Sequence, residues 1–215
     1  MLADPFKWSG EPQAITIQGN SGNKSFWEAD DKSCMPHVID VDPGKVYRLR
    51  VISATALSMI KLGIDDHTNF TVIEADGSYT KPAAIDHVQV SSGQRFSYLM
   101  TTKSAKEVCQ GDKSQFWIRY ESRDRPQMIS GYALLKYNCG MYQHLPKTLP
   151  EKSPVVLSND TSDYLEYALE GLSEKNNAAF PKLSEVTRTV TIQINQIMET
   201  GAYENGTLNG TVAWA

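Results

Sequence analysis

A cysteine and a histidine stand five residues apart in the segment "NCGMYQH", at Cys139 and His144. A thiolate and a neutral imidazole bind copper well, and a blue copper site combines one Cys with two His and a weak axial ligand. Leu149 lies five residues further on, where an axial ligand or an inert residue would stand, and His87 is a candidate for the second imidazole. One hypothesis is therefore a blue copper site.

The elements that must position these residues are predicted to be β-strands. Short β-branched or aromatic runs, several of them alternating, are separated by turn sequences such as "DPGK", "ADGS" and "SSGQ". The runs are "AITIQG", "HVIDVDPGKVYRLRVI", "FTVIEADG", "DHVQVSSGQRFSYLMTT", "FWIRYES" and "GYALLKY". Because strands do not alternate with helices, we expect an all-β antiparallel sandwich or barrel.

The composition excludes some classes of partner. The chain has 215 residues, 40% of them hydrophobic, with a net charge of -4 and a pI near 5.6. A nucleic-acid-binding domain is expected to be basic. A membrane span requires roughly 18 or more consecutive apolar residues, and the sequence has no such run. We therefore expect neither a nucleic-acid partner nor a membrane partner.

Several features point to a piece of a secreted protein. Glycosylation sequons of the form Asn-x-Ser/Thr occur at Asn23, Asn69, Asn159, Asn205 and Asn209. The start, "MLADPFKWSG", lacks the apolar segment of a signal peptide, so we expect sequence to be missing before it. Three cysteines leave one without an internal partner, which favours a partner on another chain or on missing sequence.

The pattern changes after residue 145. "LPKTLPEKSP" carries three prolines in ten residues and is typical of a linker. "TSDYLEYALEGLSE" has apolar residues at helical spacing and an N-cap candidate at Thr161 or Ser162, which predicts a short amphipathic helix. "TRTVTIQINQI" predicts a new strand. We expect a sandwich, a linker with the helix, and the truncated start of a further domain, over residues 1–145, 146–186 and 187–215.

Residues 45–102 resemble the second cupredoxin domain of three-domain multicopper oxidases, in the ascorbate oxidase and laccase branch. The matching features are a Tyr-Arg-x-Arg strand, a Thr-Ala-Leu loop, Glu-Ala-Asp-Gly at 74–77 and Ser-Gly-x-x-Phe at 92–96. Upstream, "DPFKWSGEPQAITIQGNSG" resembles the entry into that domain, and "TVAWA" resembles the opening of the third. The resemblance implies a cupredoxin-like Greek-key β-sandwich.

The same resemblance implies a role for the parent protein. Its first and third domains hold copper through His-x-His and His-Cys-His segments, oxidise a small phenolic or enediol reductant, and reduce dioxygen to water. This chain has four histidines and no His-x-His, whereas a trinuclear cluster needs about eight imidazoles. We therefore expect copper in the parent, none on this chain, and the first and third domains as partners.

The family pattern also argues against copper at Cys139. Copper-bearing cupredoxin domains carry their ligands at the end of the penultimate strand and in the loop after it. That strand here is "FWIRY", which places Arg119 and Tyr120 where His and Cys belong. The loop, residues 121–130, contains neither His nor Cys, and Cys139 follows the last strand, "GYALLKY".

A disulfide is the alternative for Cys139. If "FWIRY" and "GYALLKY" are antiparallel neighbours, Cys109 and Cys139 lie at one end of the sheet, and a Cα separation of about 5.5–6 Å is attainable. Such a bond would add about 3 kcal/mol by closing the loop. Cys34, in "SCMPHV", resembles a Ser-Cys-Ala-Pro segment of ascorbate oxidases, which implies an interdomain cysteine.

A histidine, two arginines and a tryptophan are further candidate contact residues. His67 in "DDHTN" is expected to brace a loop rather than bind a metal. Arg123 and Arg125 in "SRDRP" predict an exposed charged loop tip, with an interdomain or substrate-side contact as the alternative. Trp8 is a candidate contact near the parent's substrate cleft.

Two other functions remain open from the residues. One is a standalone secreted β-sandwich that binds a partner or a glycan. The other is a small blue-copper electron carrier, which requires a reduced Cys139 together with His144.

Overall fold

The computed structural model describes residues 12–26, 31–56, 58–123, 127–140, 143–159, 165–173, 181–193, 203–204 and 207–208. The chain divides into two compact units, one of residues Pro12–Asn177 and one of Met1–Glu11 with Ala178–Ala215. Among the described residues, no helix is long and apolar enough to cross a membrane.

The larger unit is built from short strands with little helix. Its strands are β1 (Val38–Val41), β2 (Val46–Ile52), β3 (Met59–Ile64), β4 (Phe70–Ala75), β5 (Ser78–Ile85), β6 (Val88–Val90), β7 (Arg95–Thr101), β8 (Gln115–Arg123) and β9 (Ser130–Tyr137). Its helical segments are a 3₁₀ turn (Lys32–Cys34), α1 (Ala105–Val108) and a second 3₁₀ turn (Leu165–Ala168).

The strands form two sheets, with strand orders β1-β9-β8-β3-β6 and β2-β7-β4-β5. Their pairings are antiparallel except for β1 and β9, which run parallel. Most successive strands pass from one sheet to the other, as in a Greek key, whereas β4 and β5, and β8 and β9, are hairpin neighbours within one sheet. The predicted all-β, cupredoxin-like sandwich is therefore confirmed.

The core lies between the two sheets, where period-two alternation brings apolar residues inward. In β4 and β8 every second residue is buried over most of the strand. Large fully buried side chains include those of Phe70, Phe96, Tyr98, Ile118 and Leu135.

The Asp76–Gly77 sequence makes the turn that joins β4 to β5. Both residues have positive φ, 48° and 92°, the conformation that a tight hairpin with two central residues requires. The Glu74 carboxylate accepts a hydrogen bond from the Gly77 N–H at 2.6 Å and braces the turn.

Two strands of the larger unit, β3 and β5, were not predicted from the sequence. β5 contains Pro82, which lacks an N–H and counts against a central strand. It is tolerated because β5 is an edge strand of its sheet. β3 was missed because Lys61 interrupts its apolar run, although Lys61 is buried in the structure.

Three predicted elements differ from the structure. "AITIQG" forms only an isolated bridge between Ile17 and Asn20, since Gln18 and Gly19 turn the chain with positive φ. The predicted amphipathic helix is a 3₁₀ turn over Leu165–Ala168, and its N-cap candidates lie outside the described residues.

The strand predicted in "TRTVTIQINQI" is wrong for the residues that are described. Residues 187–193 have no strand partner and are exposed, so their alternation buries nothing. The smaller unit has a 3₁₀ turn (Leu183–Glu185) and two-residue strands β10 (Tyr203–Glu204) and β11 (Thr207–Leu208), which pair with each other.

Part of the predicted linker lies against the larger unit. Val155 and Leu157 face Gly63 in β3, where a Cβ atom would approach Val155 Cγ1 to 2.7 Å. Further on, Gly171 forms a bridge with Thr80, which extends the edge of β5. The segment after residue 145 is thus fixed to both sheets at these points.

Candidate functional site

The sulfur of Cys139 is bonded to Cys109. Cys109 caps the C-terminus of α1 just before β8, and Cys139 follows β9. Because β8 and β9 are antiparallel neighbours, the two cysteines meet at one end of the sheet, with Cα atoms 5.3 Å apart. A disulfide sulfur is not the thiolate that a blue copper requires. The electron-carrier hypothesis is therefore contradicted.

The two histidines considered as copper ligands, His144 and His87, have other neighbours than Cys139. The backbone carbonyl of His144 accepts a hydrogen bond from Gln115 Nε2 at 2.9 Å, and the residue is exposed. His87 pairs through Nδ1 with the neighbouring carboxylate of Asp86. Among the residues that the structure describes, no group of three His, Cys, Asp or Glu side chains is arranged to hold a metal.

Tyr120 occupies the position where the family pattern would place a copper-binding cysteine. Its hydroxyl donates a hydrogen bond of 2.6 Å to the backbone carbonyl of Ser21. Burial raises the pKa of this phenol, so it remains a neutral donor. A Cβ atom on Gly22 would meet the Tyr132 carbonyl, and one on Gly131 would meet the Ser21 carbonyl, so both glycines permit close backbone approach.

Arg119, at the position of the family's histidine, belongs to a charged row on the outer face of β8. Its Nε donates to Glu121 at 2.7 Å, and Arg123 contacts the second oxygen of the same carboxylate at 2.7 Å. Burial raises the pKa of Glu121, but the hydrogen bonds from both arginines outweigh it and hold that pKa below its ordinary value. The guanidinium of Arg119 also lies 4.8 Å from the ring centre of Tyr132.

The connection between β8 and β9 is shorter than predicted. Residues 121–123 continue β8, and β9 begins at Ser130. Arg123 is only 6% exposed because residues 157–158 cover it, so the prediction that it lies at an exposed loop tip is wrong. Arg125 and Trp8 lie outside the described residues.

His67 braces its loop, as predicted. It is 7% exposed, its Nδ1 lies 2.7 Å from the Asp65 carbonyl, and its Nε2 lies 2.7 Å from the Tyr137 hydroxyl. A carbonyl can only accept, so Nδ1 carries the ring proton, and in the neutral ring Nε2 then accepts from the Tyr137 hydroxyl, which itself accepts from the Lys103 N–H. Burial lowers the pKa of His67 and favours this neutral form.

The other predicted site residues are spread over the surface. Asn23, Asn69 and Asn159 are exposed, as glycosylated residues must be, and Asn205 and Asn209 lie outside the described residues. Cys34 is a free, half-buried cysteine at the end of the first 3₁₀ turn.

Sequence reasoning missed the partners of Tyr120, Arg123 and His67. Each partner comes from a distant part of the chain or from the backbone, so no local motif signals it. The sequence did contain one indication that the outer face of this sheet is covered. Lys61 stands inside the apolar run "MIKLGI", and a charge in such a run needs polar partners from another segment.

Comparisons with known proteins agree with this architecture. The sequence profile of the multicopper oxidase family matches residues 2–140. Multicopper oxidase aurL2 of Gibberella zeae is 83% identical over 215 residues, which are 100% of this chain and 36% of that protein. Laccase-like multicopper oxidase 1 of Thermothelomyces thermophilus is 36% identical over 87% of the chain and 30% of its own length.

An L-ascorbate oxidase of Cucumis sativus is 32% identical over 72% of the chain and 27% of its own length. The chain thus spans about a third of the length of the curated relatives it matches. The family profile covers most of the sandwich, including β8 and β9. The chain therefore belongs to the multicopper oxidase family.

Proposed function

We propose that this chain is the copper-free middle domain of a secreted multicopper oxidase, followed by the linker and the start of the next domain. In this proposal residues 1–145 form the sandwich, 146–186 the linker and 187–215 the beginning of the third domain. The chain has no catalytic residue of its own. Its role is architectural, because it spaces the copper-bearing domains and forms one wall of the reductant cleft.

One observation carries the proposal. The two positions where the family pattern would place a copper-binding Cys and His are held by Tyr120, whose hydroxyl is bonded to the Ser21 carbonyl, and by Arg119, which pairs with Glu121. A phenol donor and an arginine do not suit copper, which takes thiolate, thioether and imidazole ligands. The residues present therefore do not fit a type 1 copper, and no electron transfer is assigned to them.

The parent's activity is proposed from its relatives. A laccase-like multicopper oxidase and L-ascorbate oxidases are among the similar proteins, so a small phenolic or enediol compound is the proposed reductant and dioxygen the oxidant. The partners of this chain are then the first and third cupredoxin domains. The free, half-buried Cys34 is proposed to form a disulfide with the first domain.

Secretion is supported by two features of the described residues. Three of the sequons, at Asn23, Asn69 and Asn159, are exposed. The Cys109–Cys139 disulfide suits an oxidising compartment, since disulfides are rare in the cytosol.

Copper analysis of the purified chain tests the proposal. After incubation with Cu(I) or Cu(II) and removal of unbound metal, we expect no stoichiometric copper, no intense blue thiolate absorption and no oxidation of a phenol or ascorbate. The protein from the full coding sequence is the matched control, and we expect it to consume dioxygen with one of these reductants. Equimolar blue copper on the chain alone would overturn the proposal.

A further inference from the structure

Two buried cations of the five-stranded sheet converge on one backbone carbonyl. Lys61 in β3 is 2% exposed and donates from Nζ to the Ser158 oxygen at 3.2 Å. Arg123 at the end of β8 donates from Nη2 to the same oxygen at 3.2 Å and to the Leu157 oxygen at 3.4 Å. β3 and β8 are neighbours, so the two side chains hold one short segment from adjacent strands.

The carbonyls of this segment accept hydrogen bonds from the buried guanidinium of Arg123. The Glu121 carboxylate is shared between Arg119 and Arg123. An arginine remains charged when it is buried, and a buried charge that loses its partners is costly. Leu157 and Ser158 supply further acceptors for Arg123, so removing them would take these hydrogen-bond partners away from its guanidinium.

The same segment packs on β3 at Gly63, where the strand has no side chain. A Cβ atom on Gly63 would lie 2.7 Å from Val155 Cγ1 and 3.0 Å from Leu157 Cδ2, closer than carbon atoms pack. The glycine therefore leaves a notch that these two side chains fill. Val156 between them is 94% exposed, as expected for an extended segment with one face on the sheet.

The segment also walls a cavity of about 370 Å³. Residues 154–158 form one side, and the other side comes from the end of β3 with the turn after it and from the connection between β5 and β6, namely residues 63–66, 68 and 86–87.

We propose that residues 153–158 form a releasable strap, which Lys61 and Arg123 hold on the sheet and which forms one wall of this cavity. Lys61 and Arg123 are positioning residues in this device. Loss of either cation frees the strap before the sandwich unfolds, because the strands remain paired by their own ladders.

Cleavage by elastase, whose small S1 pocket accepts valine, tests the latch in the full chain. We expect Arg123→Met and Lys61→Met to be cut within residues 155–156 about tenfold faster than the unsubstituted chain, because cleavage follows the population of the open strap. Cleavage at Val190, an exposed site in the smaller unit, serves as the internal control and should keep its rate. Arg95→Met, which removes an exposed cation of the other sheet, should leave the strap rate unchanged.

Gly63→Ala provides a second route if a cation variant fails to fold. Its added methyl group displaces Val155 without exposing a charge, so we expect faster cleavage of the strap with native near-ultraviolet circular dichroism. Equal strap cleavage in Gly63→Ala and the unsubstituted chain would overturn the proposal. So would faster cleavage that occurs only together with loss of the near-ultraviolet signal, since the strap would then open only by global unfolding.

Discussion

The histidine at position 67 is a neutral, buried residue whose two ring nitrogens are both used. Nδ1–H donates to the Asp65 carbonyl and Nε2 accepts from Tyr137. Burial lowers the pKa of His67 in the folded protein below its unfolded value of about 6.5. The unfolded chain therefore binds the proton more readily, and acid favours unfolding through this residue.

The first prediction concerns this pH dependence. The stability that His67 contributes is fully present above pH 6.5 and is lost as the pH falls toward the folded pKa. Between pH 7.5 and 5.5 we expect the unsubstituted chain to lose up to about 1.4 kcal/mol more unfolding free energy than His67→Phe. Urea denaturation at the two pH values measures the difference. An unchanged dependence in His67→Phe would contradict the prediction.

A second prediction at this scale concerns Tyr120. In Tyr120→Phe the buried Ser21 carbonyl loses its hydroxyl donor, which should lower the unfolding free energy by about 1–2 kcal/mol. The N–H groups of Ser21 and Lys24, which donate to the carbonyls of Ser33 and Cys34, should exchange faster with deuterium. Tyr79→Phe removes an exposed hydroxyl and is the matched control. Equal exchange in both variants would show that Tyr120 does not anchor this loop.

At the scale of elements, the disulfide ties the end of α1 to the chain that leaves β9. We predict that Cys109→Ser/Cys139→Ser lowers the unfolding free energy by about 3–4 kcal/mol, because the unfolded chain regains the freedom of the closed loop. Chemical denaturation measures this loss. Cys34→Ser removes the free thiol and should change stability little, so an equal effect of both changes would contradict the prediction.

Strands whose sequence signals lie within the strand and its turns were predicted, whereas strands that depend on their place in the sheet were not. β2, β4, β7, β8 and β9 carry alternation and turn residues in their own sequences, and they were all predicted. In β2 the half-buried residues are Tyr47, Leu49 and Val51, whereas Val46 is 62% exposed. β5 was missed because its Pro82 is acceptable only at an edge, and edge position is a property of the whole sheet.

The site was predictable to a similar degree. The family pattern placed Arg119 and Tyr120 in β8, but the strand continues to Arg123, so neither residue stands at its end. It could not place the Ser21 carbonyl, which lies 99 residues away from Tyr120 in sequence. For the same reason Arg123 was expected at the surface, since the residues that cover it follow the last strand of the sandwich.

At the scale of the whole molecule, residues beyond 145 contribute to the larger unit, which spans Pro12–Asn177. We predict that a chain ending at residue 177 melts at the same temperature as the full chain. One ending at residue 145 should melt roughly 5–10 °C lower, because Lys61 and Arg123 lose the Ser158 carbonyl. Differential scanning calorimetry of the three chains measures this, and equal melting temperatures would show that the linker adds nothing to the sandwich.

The parallel pairing of β1 with β9 determines when this domain can complete its fold during translation. β1 is the first strand of this sandwich to be synthesised, and its partner β9 is the last. β1 must therefore remain unpaired while nearly the whole sandwich is translated, and such distant pairing forms slowly. A nascent chain arrested before residue 130 should remain a client of chaperones, whereas one extended past residue 177 should become protease-resistant on the ribosome.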